Sequence, residues 1–386
     1  MQYSFFVANF FRAASNYLLI LSLSNNMELV EVGNYFYYFA VVALLSIGLT
    51  LGSTSIIART SYREVKCRYF FNVALAIIFF NLTISAPVQI ILGLSFSVVL
   101  YALAKALELC FEAFFIASSR NSDLFSLCVG SGLINCLIAF LVYKSQLVNA
   151  DSVFLVYSAL SILLMLIMYL ISGSSFNIFS LSIFKHKSHF KLKFVSFSLV
   201  AALANGLLVS GDRIVLGNLI DKESLAIYSL LYTVIFALHR FFTLPYSQIL
   251  ARKYFKDKND EIFKRKVLRG VLFLCVLLMC NVLFLSQFYQ LLGLDRFYLL
   301  ECVVLSCAVV FSFLYINNLT KCKSAYDSLF MIKSQLLSAI IVIVGNIILT
   351  PVYGWFAAVI MTAGGYVFAC IFTIKYSAFN VKRSKL

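Results

Sequence analysis

A small number of ionisable side chains within long apolar segments are the residues of this chain that can do chemistry. Lys105, Glu108 and Glu112 stand at positions i, i+3 and i+7, so a helix would present all three from one face. Two carboxylates one turn apart in a low dielectric resist being ionised together. We therefore expect one of them to be protonated, shared with Lys105, or paired with Arg12 from another segment. A static ion-pair network and a group that takes up and releases a proton both fit this pattern.

Other charged residues lie within or at the ends of apolar segments elsewhere in the chain. Arg12 lies two turns into the first segment, and the adjacent pair Asp212 and Arg213 closes the seventh. Arg240 lies in the eighth segment, five residues before Pro245, which should bend or loosen a helix there. An ionisable group inside a bilayer helix costs at least about 2.5 kcal/mol, so it normally faces a wet cavity or a charged partner.

The balance of these charges predicts what such a cavity would bind. If Arg12, Lys105, Arg213 and Arg240 all face one cleft, their four positive charges exceed the two negative charges of Glu108 and Glu112. Such a cleft suits an anion. Phosphate is the anion that Arg matches best, through a bidentate fork, while Lys acts as a point charge. The candidate binding residues are Arg12, Lys105, Arg213 and Arg240, and the candidates for ion coupling are Glu108, Glu112 and Asp212.

The composition identifies the elements that must hold these side chains. A chain of 386 residues that is 62% hydrophobic and 12% charged has too little polar surface to enclose a soluble core. Runs of about 20 apolar residues are long enough to cross a bilayer as helices. Twelve such runs predict an all-α polytopic membrane protein: 4–23, 35–58, 69–87, 96–117, 124–143, 153–172, 194–216, 224–250, 267–289, 298–318, 335–349 and 355–374.

The basic residues fall in every second gap between these runs, as in the cytoplasmic loops of membrane proteins. Such gaps and the C-terminal tail hold 24 of the 31 Lys and Arg residues. Topology and an acidic inner leaflet therefore account for most of the net charge of +15, and no nucleic acid is expected as a partner. An even number of helices with a basic tail places both termini in the cytoplasm. The ten cysteines are scattered without a CxxC pair, so neither a metal nor another cofactor is expected.

The second half of the chain repeats landmarks of the first at a spacing of 193 residues, half the chain length. Asn25 then corresponds to Asn218, and Tyr35 to Tyr228. Two six-helix bundles in parallel orientation, with a cleft between them, are expected. The predicted organisation is an N-terminal lobe (1–180), a basic cytoplasmic linker (181–193), a C-terminal lobe (194–376) and a basic cytoplasmic tail (377–386).

Two stretches resemble a known group of transporters. One follows the first helix, with Leu23, Ser24, Glu28 and Gly33, and the other is the run Gly211 to Gly217 followed by Glu223, Tyr228 and Tyr232. Together they are similar to the polysaccharide exporters of the multidrug, oligosaccharidyl-lipid and polysaccharide (MOP) exporter superfamily, and most of all to O-antigen (Wzx-type) flippases. Of the site residues, only Arg213 is carried over by its place in such a motif.

This resemblance implies a function in the bacterial cytoplasmic (inner) membrane. It implies translocation of an undecaprenyl-pyrophosphate-linked oligosaccharide from the cytoplasmic to the periplasmic leaflet by alternating access, with coupling to a proton or another ion left open. Polysaccharide polymerase and chain-length regulator proteins are the partners it suggests. No covalent chemistry is required, so we expect no enzyme activity.

Two other functions remain open at this point. A drug exporter of the same superfamily would expel organic cations and should have a cleft in which acidic groups dominate. A membrane polymerase or lipid-linked glycosyltransferase needs a sizeable outer loop with catalytic residues, and no outer gap here exceeds about a dozen residues.

Overall fold

The structure, a computed structural model, describes residues 2–50, 94–118, 120–172, 192–257, 259–324 and 328–383, with six further positions between 54 and 78. The regular elements of this described part are all helices. In chain order they are α1 (Gln2–Asn26), α2 (Leu29–Thr50), α3 (Phe96–Ala117), α4 (Asn121–Tyr143), α5 (Ala150–Ser172), α6 (Leu192–Leu219), α7 (Lys222–Leu238), a π-helical turn (His239–Thr243), α8 (Leu244–Asp257), α9 (Asp260–Phe288), a 3-10 turn (Tyr289–Leu292), α10 (Leu299–Ser324), α11 (Ser328–Tyr353) and α12 (Phe356–Arg383).

Many of these helices have the length and composition of membrane spans. Within the described residues, nine helices are long and apolar enough to cross a bilayer, and α7, the π turn and α8 together form one of them. Two more helices of spanning length, α1 and α3, are not among the nine, and these carry Arg12 and the Lys105–Glu112 face. The prediction of an all-helical, multi-pass membrane protein is confirmed. Most of the predicted helix 69–87 and most of the linker 181–193 lie outside the described residues.

The chain forms two compact units. The first comprises Met1–Met27 and Tyr37–Gly206, in which α1 packs on α4, and α3 and α4 pack on α5. The second comprises Glu28–Phe36 and Leu207–Leu386, in which α12 packs against α10 and α11, and α10 also contacts α7 and α9. Both α2 and α6 are shared between the two units, because the boundaries fall within these helices.

The helix ends fit the 193-residue repeat only at the start of each half. The end of α1 at Asn26 corresponds to the end of α6 at Leu219, and the start of α2 at Leu29 corresponds to the start of α7 at Lys222. Later helices are further apart than 193 residues, since α11 begins at Ser328 and α4 at Asn121. The matched residues Asn25 and Asn218, and Tyr35 and Tyr228, lie in this first part, where the spacing of 193 residues holds without an insertion.

The connections in the second unit are set by capping residues. The Asp221 carboxylate accepts a hydrogen bond from the Ser224 N–H at 2.7 Å, which starts α7 and holds the pKa of Asp221 below its ordinary value. Asn259 starts α9 in the same way, accepting from the Ile262 N–H at 3.0 Å. The described residues of the basic segment 252–269 therefore lie at the end of α8 and the beginning of α9.

Pro245 explains the π-helical turn between α7 and α8. A proline has no N–H to donate to the carbonyl four residues earlier, and its ring clashes with that carbonyl. The helix widens to a π turn over His239–Thr243 and continues as α8, in which Pro245 is the second residue. The expected loosening of this segment thus takes the form of one wide turn.

Gly33 marks a close backbone contact within the second unit. A Cβ atom at this position would lie 2.0 Å from the carbonyl oxygen of Lys222, so α2 touches the start of α7 through backbone atoms alone. Lys222 is itself held by a 2.7 Å bond from its ammonium to the Gly217 carbonyl.

Gly33→Ala is therefore expected to destabilise the protein by about 1–3 kcal/mol, the usual cost of overpacking. Gly48→Ala is a matched control in the same helix, because a Cβ at Gly48 meets nothing within 4 Å and alanine is the better helix former. The thermal unfolding midpoints of the purified variants measure both effects. Equal midpoints for the two alanine variants would show that the Gly33 contact does not contribute to stability.

Candidate functional site

An ion-pair network on α1, α3 and α4 joins four of the predicted site residues in the first unit. The Arg12 guanidinium donates to Glu108 Oε1, and Lys105 Nζ lies 2.6 Å from Glu108 Oε2. Ser131 on α4 donates a further bond to Glu108 Oε1 at 3.1 Å, and Arg12 lies 3.9 Å from Glu112 Oε2. The three residues predicted to share one face of α3 do so, and Arg12 is their partner from another helix.

The two carboxylates of this network differ in their surroundings. The Glu108 side chain is 5% exposed, and both of its oxygens are bound to cations. The Glu112 side chain is 33% exposed, and its only ion pair among the described residues is the long one to Arg12. Glu108 is therefore the structural centre of the network, and Glu112 is its less constrained carboxylate.

The same network extends along α1 through uncharged groups. Ser15 accepts a hydrogen bond from the Asn135 amide at 3.3 Å, and Asn135 accepts one from the Tyr157 hydroxyl. Tyr157 packs on Tyr101 with the ring centroids 4.9 Å apart, and the Lys105 ammonium lies 5.8 Å from the Tyr101 centroid. These contacts tie α1, α3, α4 and α5 together around the charges.

The sum of charges in this network is zero, with two cations and two carboxylates. The excess of positive charge expected from the sequence is thus not found around Arg12 and Lys105. Of the other two predicted binding cations, Arg213 in the second unit is the one whose side chain the structure describes.

Asp212 is a fully buried carboxylate in the second unit, with an exposure of 0%. Its Oδ1 accepts from the Arg213 backbone N–H at 2.7 Å, and its Oδ2 accepts from the Tyr228 hydroxyl and, at 3.2 Å, from Thr362. The Tyr228 and Thr362 hydroxyls lie 3.1 Å apart. A carboxylate held by hydroxyls from α7 and α12 can bind a proton or a small cation between them.

Arg213 is the next residue, and its environment is unusual for a buried cation. It is 4% exposed, and its Nε has no hydrogen-bond partner in the described part of the chain. Its guanidinium carbon lies 4.1 Å from the centroid of the Tyr232 ring, which also stacks on Phe236 at 4.1 Å. This buried guanidinium stacks on an aromatic ring and forms no ion pair with a described residue, so Arg213 stays a candidate for anion binding.

A further polar residue near this site was not predicted from the sequence. Asn346 on α11 is fully buried, and neither atom of its amide has a hydrogen-bond partner in the described structure. Its helix packs beside the site, because Ile343 contacts Gly211 and a Cβ at Gly345 would meet Met361. Gly211 and Met361 directly precede Asp212 and Thr362 in sequence. The only indication of this site in the sequence is a polar amide side chain within an apolar run.

Tyr228→Phe is expected to test how the Asp212 carboxylate is held. The change keeps the ring and removes one hydroxyl, and a hydrogen bond to a charged group contributes about 1.5–3 kcal/mol. We expect a loss of that size in the free energy of unfolding of the purified protein. Tyr232→Phe is the control, since the Tyr232 hydroxyl bonds to the uncharged Val209 carbonyl at the long distance of 3.3 Å. If both variants unfolded alike, the Asp212 contact would not matter to stability.

The remaining predicted site residue is Arg240. Its backbone lies in the π turn, and its side chain is outside the described residues, so its role as a binding residue stays a prediction. Among the residues that the structure does describe, no group of three His, Cys, Asp or Glu side chains could hold a metal ion.

Comparison with solved structures identifies the fold. An inward-facing MATE-family multidrug resistance transporter of the MOP superfamily matches with a TM-score of 0.67 and 12% identity over 96% of this chain and 95% of that one. The lipid II flippase MurJ, in an inward closed conformation, matches with a TM-score of 0.71 and 15% identity over 97% and 87% of the two chains. The chain has the fold of MATE transporters and MurJ.

The MATE multidrug transporter DinF-BH, in complex with a ligand, gives a similar match, with a TM-score of 0.65 and 16% identity over 97% of this chain and 93% of that one. No protein-family model matches the sequence, and neither does any curated protein. At these identities the comparison establishes the fold. The three structures compared above are two multidrug transporters and a lipid II flippase.

Proposed function

We propose that this protein is a flippase for undecaprenyl-pyrophosphate-linked oligosaccharide, the O-antigen repeat unit, across the bacterial inner membrane. The observation that carries the proposal is Arg213, a buried guanidinium on an aromatic ring that forms no ion pair with a described carboxylate. A pyrophosphate supplies the anion that this group lacks, and the Tyr232 and Phe236 rings provide surfaces on which sugars stack.

The proposal includes the architecture and direction of transport predicted from the sequence. The chain has twelve transmembrane helices in two lobes, divided by the linker 181–193, with both termini in the cytoplasm. Alternating access moves the charged head group to the periplasmic side while the polyprenyl tail stays in lipid, because a pyrophosphate does not cross hydrocarbon unaided. Polysaccharide polymerase and chain-length regulator proteins act on the product. Arg12, Lys105 and Arg240 remain candidate contacts to the substrate.

Ion coupling is assigned to the carboxylates. Asp212 binds the coupling proton or cation between the Tyr228 and Thr362 hydroxyls, directly beside Arg213 in the chain. Loading of this site changes the charge that Arg213 experiences and therefore its affinity for the anion. Glu112, which is the less constrained carboxylate of the first unit, is the second candidate.

A MATE-like exporter of organic cations, or of another lipid, is the second candidate function. It is favoured by the first unit, where the cations are neutralised and the Glu112 carboxylate is one-third exposed. Such a carboxylate attracts a positively charged drug and repels a pyrophosphate.

A binding experiment separates the two functions. The purified protein is titrated with undecaprenyl-pyrophosphate oligosaccharide, with the same oligosaccharide on uncharged undecaprenol, and with a fluorescent organic cation. We expect saturable binding of the pyrophosphate lipid, binding of the uncharged lipid at least ~10-fold weaker, and no saturable binding of the cation. Saturable binding of the cation alone would assign the protein to drug export.

A further inference from the structure

A seam of buried polar side chains follows the contact of the π turn and α8 with α10. The His239 Nδ1 atom lies 3.2 Å from the Ser312 hydroxyl, and two turns further along, the Asn317 amide donates to Ser247 at 3.0 Å. Thr243 lies between His239 and Ser247 in sequence and is fully buried. Since residues four apart share a helix face, His239, Thr243 and Ser247 line the same contact.

Two atoms of this seam have no hydrogen-bond partner among the described residues. They are Thr243 Oγ1 and Asn317 Oδ1, in side chains that are 0% and 1% exposed. Buried polar atoms are nearly always satisfied, and where protein groups do not reach them, ordered water does. The Thr243 hydroxyl and the Asn317 amide oxygen have no described partner, and Asn317 is bonded to Ser247, one turn after Thr243. These two atoms are suited to hold a short chain of water molecules.

The π turn adds acceptors at the same place. Pro245 cannot donate a backbone hydrogen bond, and the widened turn over His239–Thr243 does not form the usual α-helical pairs. Because Pro245 has no N–H, one backbone carbonyl group of the turn lacks the donor that it would otherwise have, and wide turns of this kind often occur at functional positions. His239 is the first residue of the turn.

His239 is also the only histidine in the described part of the chain. The sequence has three, and the other two, His186 and His189, fall within the predicted linker. The ring is half-buried and lies 5.9 Å from Phe236. The titratable and charged groups of the surrounding helices include Tyr228 and Tyr232 on α7, Tyr246 on α8, Lys266 and Arg269 on α9, Tyr315 on α10, Tyr366 on α12 and, next in the chain, Arg240. The carboxylates of these helices, Glu223, Asp257, Asp260, Glu261 and Glu301, lie in the terminal turns, and Asp212 on α6 is bonded to Tyr228.

Apart from Asp212 and the carboxylates in the terminal turns, the groups of that set are hydroxyls and cations. Imidazole is the side chain that changes charge near neutral pH. From the seam and the wide turn together, we propose that His239 is a proton-binding site of the transport cycle, reached from the Asp257 end of α8 by water along Thr243, Ser247 and Asn317. This inference rests on the proposed ion-coupled transport and adds a residue to it.

The proton exchange is simple in chemical terms. In the neutral tautomer with its proton on Nε2, His239 accepts a hydrogen bond from Ser312 at Nδ1, and once a proton from water has reached Nδ1 the imidazolium donates to the same oxygen. The imidazolium then adds one positive charge to the unit that contains Arg213, to which it is linked by Phe236 and Tyr232. Protonation of His239 therefore strengthens the binding of an anionic substrate, and release of the proton weakens it.

Nitrogen NMR of the purified protein tests the site itself. In a His186→Gln/His189→Gln variant labelled with 15N-histidine, His239 is the only signal. We expect its ring shifts to titrate with a midpoint between about pH 5 and 8. Ring shifts that stay constant across this range would overturn the proposal. In the wild-type protein the same signal is identified by its loss in His239→Gln, so the result does not depend on the double variant.

Transport by reconstituted protein then separates this inference from the proposed function. We expect wild-type protein to flip the pyrophosphate-linked oligosaccharide faster with a pH gradient than without, and His239→Gln to flip it at a rate that the gradient no longer changes. Full pH stimulation in His239→Gln would overturn the role of His239 and leave the flippase proposal intact. An absence of flipping by the wild-type protein would overturn the flippase proposal, whatever the NMR result.

The water route has its own test in Thr243→Val, which keeps the shape of the side chain and removes the hydroxyl. We expect slower proton exchange at the His239 ring, seen in the line widths of the same NMR spectra. A Thr243→Val protein that exchanged as fast as the wild type would exclude the seam as the path.

Discussion

Replacing Arg213 by alanine is expected to abolish transport of the lipid-linked oligosaccharide while leaving the protein folded. The guanidinium forms no ion pair with the described residues, and the neighbouring buried Asp212 keeps its hydrogen bonds from the backbone N–H of residue 213, Tyr228 and Thr362 in the variant. A charged hydrogen bond to phosphate contributes about 1.5–3 kcal/mol, so binding should weaken ~10- to 100-fold. Titration of the purified variant with undecaprenyl-pyrophosphate oligosaccharide measures this loss, and gel filtration measures the folded fraction.

Two further variants make the Arg213 result specific. Arg213→Lys keeps the charge but not the planar fork, so we expect it to recover only part of the affinity. Arg296 is a matched control, because its guanidinium also lies on a tyrosine ring, 4.8 Å from the centroid of Tyr298, but it is exposed. Arg296→Ala should bind substrate like the wild type. Equal affinities for Arg213→Ala and Arg296→Ala would contradict an anion site at Arg213.

Glu108→Gln is expected to have the largest effect on stability. The change leaves the Arg12 guanidinium and the Lys105 ammonium without the carboxylate that joins them. Removing one member of a buried ion pair costs about 3–5 kcal/mol, and the lower figure applies here because both cations are partly exposed. Thermal unfolding in detergent measures the loss.

Charge balance predicts which second substitution restores stability to the Glu108→Gln variant. In Lys105→Met/Glu108→Gln, Arg12 remains with Glu112, and we expect part of the lost stability to return. Glu112→Gln alone should cost much less, since a 3.9 Å contact at a partly exposed carboxylate is weak. Wild-type stability in Glu108→Gln would mean that Glu108 is a protonated acid in the resting protein and that the network is not ionic.

The membrane fold and the charged face of α3 were predictable because each depends on a local pattern. Apolar runs of spanning length are visible in the sequence, and positions 105, 108 and 112 share a face in any α-helix. Pairing of Arg12 with one of these carboxylates was among the three arrangements that electrostatics left open, since a buried charge needs an opposite one, and the structure places Arg12 on Glu108. The sequence left two uses of the carboxylates open, and the distances distinguish a saturated Glu108 from a less constrained Glu112.

The contacts around Asp212 could not be predicted, because they depend on how distant helices pack. Tyr228 and Thr362 are 134 residues apart, and nothing in either local sequence indicates that both hydroxyls reach one carboxylate. The expected excess of positive charge came from adding the charges of four cations, and the sequence does not show whether these residues lie together. Two of those cations turn out to be neutralised in place, which leaves Arg213 as the best-supported anion site.

Translocation by purified protein in vesicles tests the central claim most directly. Undecaprenyl-pyrophosphate oligosaccharide is placed in the inner leaflet, and its arrival in the outer leaflet is followed with an added enzyme that cleaves only exposed sugar. We expect vesicles with wild-type protein to expose the sugar rapidly, and vesicles with Arg213→Ala to behave like protein-free ones. Wild-type vesicles that expose sugar no faster than empty vesicles, yet transport a fluorescent organic cation, would contradict the account and favour a drug exporter.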